Sequence, residues 1–317
     1  MPMRAFAVDR FGDTGSIYDL PVPTPGEGEV LVRVHAAGVN VMDPMYVAGW
    51  LKDYMEHRFP LVAGIDLSGV VEAIGPGVPG FAPGDEVYGV SAKPFVGEGT
   101  FAEYTVAPAS ALARKPAGLS HSEAAAVPHV GLTALAAIDA ADPQPGQTIV
   151  LVGAAGGVGS FVSQLASARG ARVIAVTGPE SAAHAKSLGA AEMVDYTTGD
   201  PIEQIKERYP DGVDAVIDFH SDADEFARFG SLIRSGGLAV STRGPAGAAA
   251  ADLEKRGVRY APANRAAPER LPEITDALES GRLRVPPVKT FPLEQAAAAI
   301  TEMAAGHVRG KLAITVD

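Results

Sequence analysis

Short apolar runs that alternate with polar residues fill the first third of the chain. Met3–Val8, Val30–His35, Ser68–Ile74, Glu86–Tyr88 and Phe101–Val106 each predict a strand, with glycine and proline marking the turns between them. Pro21-Val22-Pro23-Thr24-Pro25-Gly26 predicts an extended connector. This all-β pattern lasts to about residue 119. Ser120-x-x-Glu123 then reads as a capping box opening a helix that Pro128 interrupts. Beyond it the period changes. Ile149–Val152 is a β-branched run suited to a buried parallel strand. Val158, Phe161, Val162, Leu165 and Arg169 recur at helical spacing, and Gly170 can close that helix. Strand Arg172–Thr177 and helix Ser181–Leu188 follow, then strand Met193–Val194 and a helix from Pro201. Strand Val213–Asp218, helix Asp222–Leu232 and strands Leu238–Ser241 and Val258–Tyr260 continue the alternation, which predicts a doubly wound parallel sheet. Helix Glu269–Glu279 leads the chain back, and strands Val285–Thr290 and Lys311–Val316 complete the first domain. Ala296–Ala299 reads as helix interior.

The joint between the first parallel strand and its helix carries the chemistry. Ala154-Ala155-Gly156-Gly157-Val158-Gly159 matches G-x-G-x-x-G with alanine at the first position. In a strand–loop–helix–strand context such a loop binds a dinucleotide, because a helix N-terminus offers unpaired N–H groups and positive dipole to a diphosphate. Gly156 is expected to admit the phosphates and Gly159 to let the helix pack on the strand, with Ala154 filling the turn position. A tight structural turn is the plainer alternative.

Several further motifs stand in order along the chain: Val39-Asn40-x-x-Asp43, Gly64-Ile65-Asp66-x-x-Gly69-x-Val71, Gly84-Asp85-Glu86-Val87, Gly131-Leu132-Thr133-Ala134, Leu188-Gly189-Ala190 and Gly310-Lys311. With the glycine loop they make the whole chain resemble the medium-chain dehydrogenase/reductase superfamily, and within it the zinc-free, ζ-crystallin-like quinone oxidoreductases. The resemblance implies an α/β protein with a GroES-like β-barrel catalytic domain (residues 1–119 and 272–317) and a Rossmann dinucleotide-binding domain (120–271). It also implies hydride transfer from NADPH to a quinone or α,β-unsaturated carbonyl, and a symmetric homodimer through the edge strand at Gly257–Ala261. An enoyl-thioester reductase and a cofactor-binding protein without turnover are the alternatives.

Composition narrows these expectations. The 317 residues are 47% hydrophobic and 20% charged, enough for two domains and sizeable cores. The net charge of −12 opposes nucleic-acid binding and makes docking of an acidic acyl carrier less favourable. No apolar run approaches the roughly 18 residues that span a membrane, and the N-terminus shows no signal-peptide core, so a cytoplasmic location is expected. There is no cysteine, which removes disulfides, thiol catalysis and sulfur-ligated zinc. Where zinc alcohol dehydrogenases carry Gly-His-Glu, this chain has Gly64-Ile65-Asp66. No metal ligand set is expected.

An NAD site usually places an acid about 20 residues past the glycine loop, on the ribose 2′-hydroxyl. That distance falls at Thr177-Gly178, where no acid stands, although Glu180 is near. NADPH is therefore expected, with Ser181 and Lys186 or Arg172 toward the 2′-phosphate and, by the resemblance, Tyr196 against it; a solvated helix face for Lys186 and simple packing for Tyr196 are the alternatives. Ala155, Gly156, Gly157 and Val158 would take the diphosphate. By the resemblance, Thr133, Phe219, Ser241, Thr242 and Lys311 reach the rest of the cofactor, and the substrate meets the nicotinamide between the domains, with the Phe219–Ser221 and Ser241–Arg243 loops nearby.

On the substrate side, Asn40 can donate to a carbonyl oxygen; equally, Asn40 and Asp43 can brace a loop. Asp66 is expected to hold backbone N–H groups. Relatives often read Asp-Trp-Lys where this chain has Asp43-Pro44-Met45, so that lysine is absent. Tyr46, Trp50 and Tyr54 make the 44–55 segment aromatic, suited to a flat ring. His129 occupies a position that is generally small in relatives and can supply a proton at neutral pH, as can Tyr46; a structural role for His129 is the alternative. His35 is expected to be structural.

Overall fold

The structure, a computed structural model, describes residues 2–242, 248–264, 266–306 and 308–316. The chain forms two compact units. One comprises Met1–Leu132, Ala267–Gly281 and Val285–Asp317, the other Thr133–Ala266 and Arg282–Arg284.

The first unit opens with β1 (Pro2–Val8), β2 (Ser16–Pro21), β3 (Glu29–Val39), α1 (Met42–Ala48), β4 (Glu56–Val62) and β5 (Asp66–Ile74). It continues through β6 (Glu86–Val90), β7 (Phe95–Glu98), β8 (Tyr104–Pro108), β9 (Leu112–Arg114) and α2 (His121–Ala125). The expected capping box is present: Ser120 Oγ accepts from the Glu123 N–H and the Glu123 carboxylate accepts from the Ser120 N–H. Pro128 starts the next helix, α3 (Pro128–Ala141), as its first residue, where a missing N–H costs nothing. α2 packs on β3 and β5, which groups residues 120–132 with this unit.

In the second unit β10 (Thr148–Val152), α4 (Gly157–Ala168), β11 (Arg172–Thr177), α5 (Ala182–Ser187), β12 (Glu192–Asp195) and α6 (Pro201–Arg208) alternate. β13 (Val213–Asp218), α7 (Ala223–Gly230), β14 (Ile233–Ser241), α8 (Ala248–Lys255) and β15 (Arg259–Pro262) complete it. The sheet order is β12-β11-β10-β13-β14-β15 and every pairing is parallel. The direction of strand succession reverses between β10 and β13, the switch point where such sheets bind ligands at their carboxyl ends. Register brings Val152 beside Val176 and Asp218, and Asp218 beside Ser241, so these strand ends share one edge. Val150, Ile174, Val216, Phe226, Phe229 and Leu253 form its core.

α9 (Leu271–Glu279), β16 (Val288–Pro292), α10 (Ala296–Ala305) and β17 (Lys311–Thr315) return to the first unit. There β17 pairs antiparallel with β3, which also pairs with β5 and β8. Met3, Phe6, Leu61, Phe101, Ile300 and Ile314 anchor the main core of this unit.

Three departures from the sequence pattern have local causes. The Phe101–Val106 run divides: Phe101 and the Glu103 N–H bond to β1, and from the Glu103 carbonyl onward the chain joins β3. β16 starts at Val288 because Pro286 and Pro287 lack N–H donors. α1 forms despite Pro44, which sits in the first turn, and Gly49 at φ +76° ends it.

Candidate functional site

The glycine loop is built by a division of labour. Gly153, at φ +76°, makes the turn out of β10, and its carbonyl accepts the Gly156 N–H at 3.1 Å. The turn position thus falls on Gly153 and not, as the motif alignment placed it, on Ala154, which is buried beneath the loop. A Cβ on Gly159 would stand 2.2 Å from the Gly153 oxygen, so only glycine lets α4 pack this closely. A Cβ on Gly156 would meet nothing nearer than 3.5 Å and would instead occupy the open space before the helix. Ala155, Gly156, Gly157 and Val158 are all half-buried there, with the first-turn amides of α4 behind them. This cradle fits a diphosphate: it has bare backbone, helix-terminal N–H groups and no anionic side chain in the loop.

Most of the other residues expected to meet the cofactor stand at or just past the neighbouring strand ends. Thr177 and Ser181 are buried and Tyr196 is 49% exposed. Phe219 is half-buried after β13, Ser241 is buried at the end of β14, and Thr242 is exposed. Thr133 is buried on α3. Arg243 lies outside the described residues. Two residues differ from expectation. Arg172 begins β11, at the end opposite the glycine loop, and is held by Glu192 and the Tyr209 hydroxyl, so it is no phosphate ligand. Glu180 lies beyond the strand, yet its carboxylate oxygens stand 2.6 and 2.7 Å from where a Gly178 Cβ would be.

In the first unit a buried polar cluster joins β3, β5 and β17. Asn40 Nδ2 donates to Asp66 Oδ2 at 3.0 Å, and Asn40 Oδ1 accepts from Lys311 Nζ at 2.6 Å. Lys311 Nζ also donates to the Val39 carbonyl at 2.7 Å. Asp66 Oδ1 accepts the His129 N–H at 3.0 Å, so this carboxylate holds backbone as the sequence suggested. Asp43 accepts the N–H groups of Asn40 (2.7 Å) and Gly64 (3.1 Å). Burial pushes the Asp43 carboxyl up to about 7 against those two bonds and the Lys311 charge. Burial likewise lowers Lys311, opposed by Asp66 and Asp43.

This arrangement revises two assignments. Asn40 is 2% exposed with both ends of its amide bound to protein, so it is a brace and not a donor to substrate oxygen. Lys311 is 2% exposed, and its ammonium serves the same cluster instead of a cofactor. Tyr46 packs inward beside the core and lies edge-on to His57, while Trp50 and Tyr54 are 69% and 83% exposed. His129 is half-buried. His35 stacks on His121, whose Nδ1 lies 2.9 Å from Ser68 Oγ, a structural pair. The cluster partners of Lys311 had no sequence signal beyond the Gly310-Lys311 motif itself.

A parallel sheet in Rossmann order with a glycine-cradled helix terminus defines a dinucleotide-binding α/β protein. Residues 26–117 match the alcohol dehydrogenase GroES-like domain, and residues 188–314 match the zinc-binding dehydrogenase domain. The mitochondrial NAD(P)H oxidoreductase RTN4IP1 of Mus musculus is 32% identical over 99% of this chain and 89% of its own length. The 2-methylene-furan-3-one reductase of Solanum lycopersicum is 31% identical over 98% of this chain and 79% of its own length. The solved quinone oxidoreductase of Coxiella burnetii superposes with TM-score 0.88 at 29% identity, covering all of both chains. The chain belongs to the quinone oxidoreductase family of the medium-chain dehydrogenase/reductases, a family of nicotinamide-dependent oxidoreductases.

Proposed function

We propose that the protein transfers hydride from a reduced nicotinamide dinucleotide to a quinone or an α,β-unsaturated carbonyl, without a metal. The observation that carries the cofactor half is the cradle between Gly153 and Gly159, whose open face at Gly156 admits a diphosphate and whose packing at Gly159 tolerates no side chain. A nicotinamide held there supplies a hydride to an electrophilic carbon.

The acceptor class follows from the residues where zinc relatives keep their ligands. Ile65, where those relatives have histidine, has no donor atom, and Asp66 is already committed to the Asn40 amide and the His129 N–H. Among the described residues no group of three His, Asp or Glu side chains could hold a metal ion. These residues do not fit zinc. Without a Lewis acid an isolated ketone is a poor acceptor. A conjugated one delocalises the incoming charge onto a distant oxygen, which hydrogen bonds can stabilise. Protonation then falls to solvent, or to the half-buried Tyr46 hydroxyl or His129 imidazole. The tomato relative, by its name, reduces an enone, and the Coxiella relative a quinone, which supports this class.

The test is oxidation of reduced nicotinamide with matched panels of quinones, enones, enoyl thioesters and saturated ketones, before and after exhaustive chelation. Enones or quinones should outrun their saturated counterparts, with rates unchanged by chelation. Faster turnover of saturated ketones, or loss of activity on chelation, refutes the proposal; a preference for enoyl thioesters would favour the acyl-carrier alternative.

A further inference from the structure

The N-terminus of α4 fixes where a diphosphate lies, and in a doubly wound sheet the adjoining adenosine ribose then falls over the end of the next strand, β11. The chain there reads Thr177-Gly178-Pro179-Glu180-Ser181. Gly178 is buried, and the group nearest its missing Cβ is the Glu180 carboxylate, with both oxygens within 2.7 Å of that point. We propose that Glu180 selects the dinucleotide, favouring NADH over NADPH; this rests on the dinucleotide reading above.

The chemistry is one of donors against acceptors. A carboxylate only accepts, and offers about four lone-pair sites. The two ribose hydroxyls of NADH can donate to it. A 2′-phosphate brings acceptor oxygens and a charge near −2, and is repelled. The same turn lacks what would offset that repulsion. Pro179 has no N–H. The Ser181 N–H donates to the Gly178 carbonyl at 3.1 Å, and the residue is buried. Arg172 is bound to Glu192 and Tyr209 at the far end of the strand. His184 Nε2 lies against Ser160 Oγ at 3.3 Å. The exposed Lys186 and Tyr196 would have to hold the phosphate against the charge of Glu180. The NADPH preference expected from the sequence took this strand end as free of acid; the carboxylate reaches it from beyond the strand.

The test is calorimetric binding of ADP-ribose and 2′-phospho-ADP-ribose to the full chain, with no turnover required. The wild type should bind ADP-ribose about ten-fold or more tighter, the effect of one charged hydrogen-bond partner. Glu180→Gln, at an exposed position, should narrow the ratio to about three-fold or less while the protein keeps its melting temperature. Equal or tighter binding of the phosphorylated fragment by the wild type, or a ratio unchanged in Glu180→Gln, overturns the assignment and leaves the dinucleotide site standing. Failure of both fragments to bind overturns the assignment together with the dinucleotide reading.

Discussion

Replacing Lys311 with methionine, which keeps the length of the side chain and removes its charge, tests how the buried cluster is held. The ammonium donates to the Val39 carbonyl and Asn40 Oδ1, and it is the cation among Asp43 and Asp66. Removing one partner from a buried ionic group costs about 3–5 kcal/mol, because the remaining charges lose compensation. At roughly 2–4 °C per kcal/mol for a domain of this size, the melting temperature should fall by about 6–20 °C at pH 8. The pH dependence gives the sharper check. Asp43 titrates near 7 when folded and near 3.9 when unfolded, so its contribution to stability is complete below the unfolded value and is lost as pH rises through about 7. Lys311 lowers the Asp43 pKa, so without it the loss continues to higher pH. Lys311 itself titrates lower in the fold than in the unfolded chain, so the wild type regains stability as pH climbs toward the unfolded value near 10.4, and the variant does not. Both effects have one sign: the deficit of Lys311→Met should be smallest near pH 5.5 and grow through pH 8.5. Thermal melts of both proteins across that range measure it. A deficit under about 2 °C, or one that stays flat with pH, would show that the ammonium is not what compensates the carboxylates.

Two substitutions in the glycine loop should separate folding from binding. Gly159→Ala drives a methyl into the Gly153 carbonyl and should cost about 1–3 kcal/mol of stability. Gly156→Ala should melt like the wild type but bind ADP-ribose about ten-fold more weakly, since its methyl enters the open cradle; undiminished affinity would contradict the placement of the diphosphate. Tyr88→Phe removes the buried hydroxyl that meets Thr275 Oγ1 at 2.8 Å, while Thr275 keeps its bond to the Leu271 carbonyl. It should cost about 0.5–1.5 kcal/mol by denaturant titration, and a loss above about 3 kcal/mol would mean that the ring's packing, not the bond, had been disturbed.

The parallel sheet was legible because each of its strands is a continuous apolar run whose period differs plainly from the helices between them. Ile149–Val152 and Val213–Asp218 are buried on both faces and need no partner to be recognised. The first unit was harder. β4 holds Pro60 and the polar residues Glu56, His57 and Arg58, β7 is four residues long, and β9 is three. Such short or polar strands owe their form to the strands beside them, β1 and β7 for β4 and β6 for β9. The glycine loop was legible as chemistry but not in detail, since φ at Gly153 decides which residue makes the turn.

Side-chain commitments were the least legible of all, and the reason is distance along the chain. Asn40 as a residue type can donate to a substrate carbonyl, and no neighbour in sequence forbids it. What does is Asp66, which accepts one of its amide protons, and Lys311, which donates to its oxygen, from strands that meet β3 only in the folded unit. The reverse holds for Glu180. It stands past the end of β11, where a strand-end rule does not look, and the turn through Gly178 and Pro179 folds its carboxylate back to the place the rule describes. In both cases residue type limits the available chemistry, and the atoms within 3 Å decide which part of it is used. A charge or an amide in a motif is therefore a ligand only when the fold leaves its polar atoms uncommitted. The nucleotide side of this protein rests on the α4 cradle and on the place where the Glu180 carboxylate stands, while Asn40, Asp43, Asp66 and Lys311 serve each other.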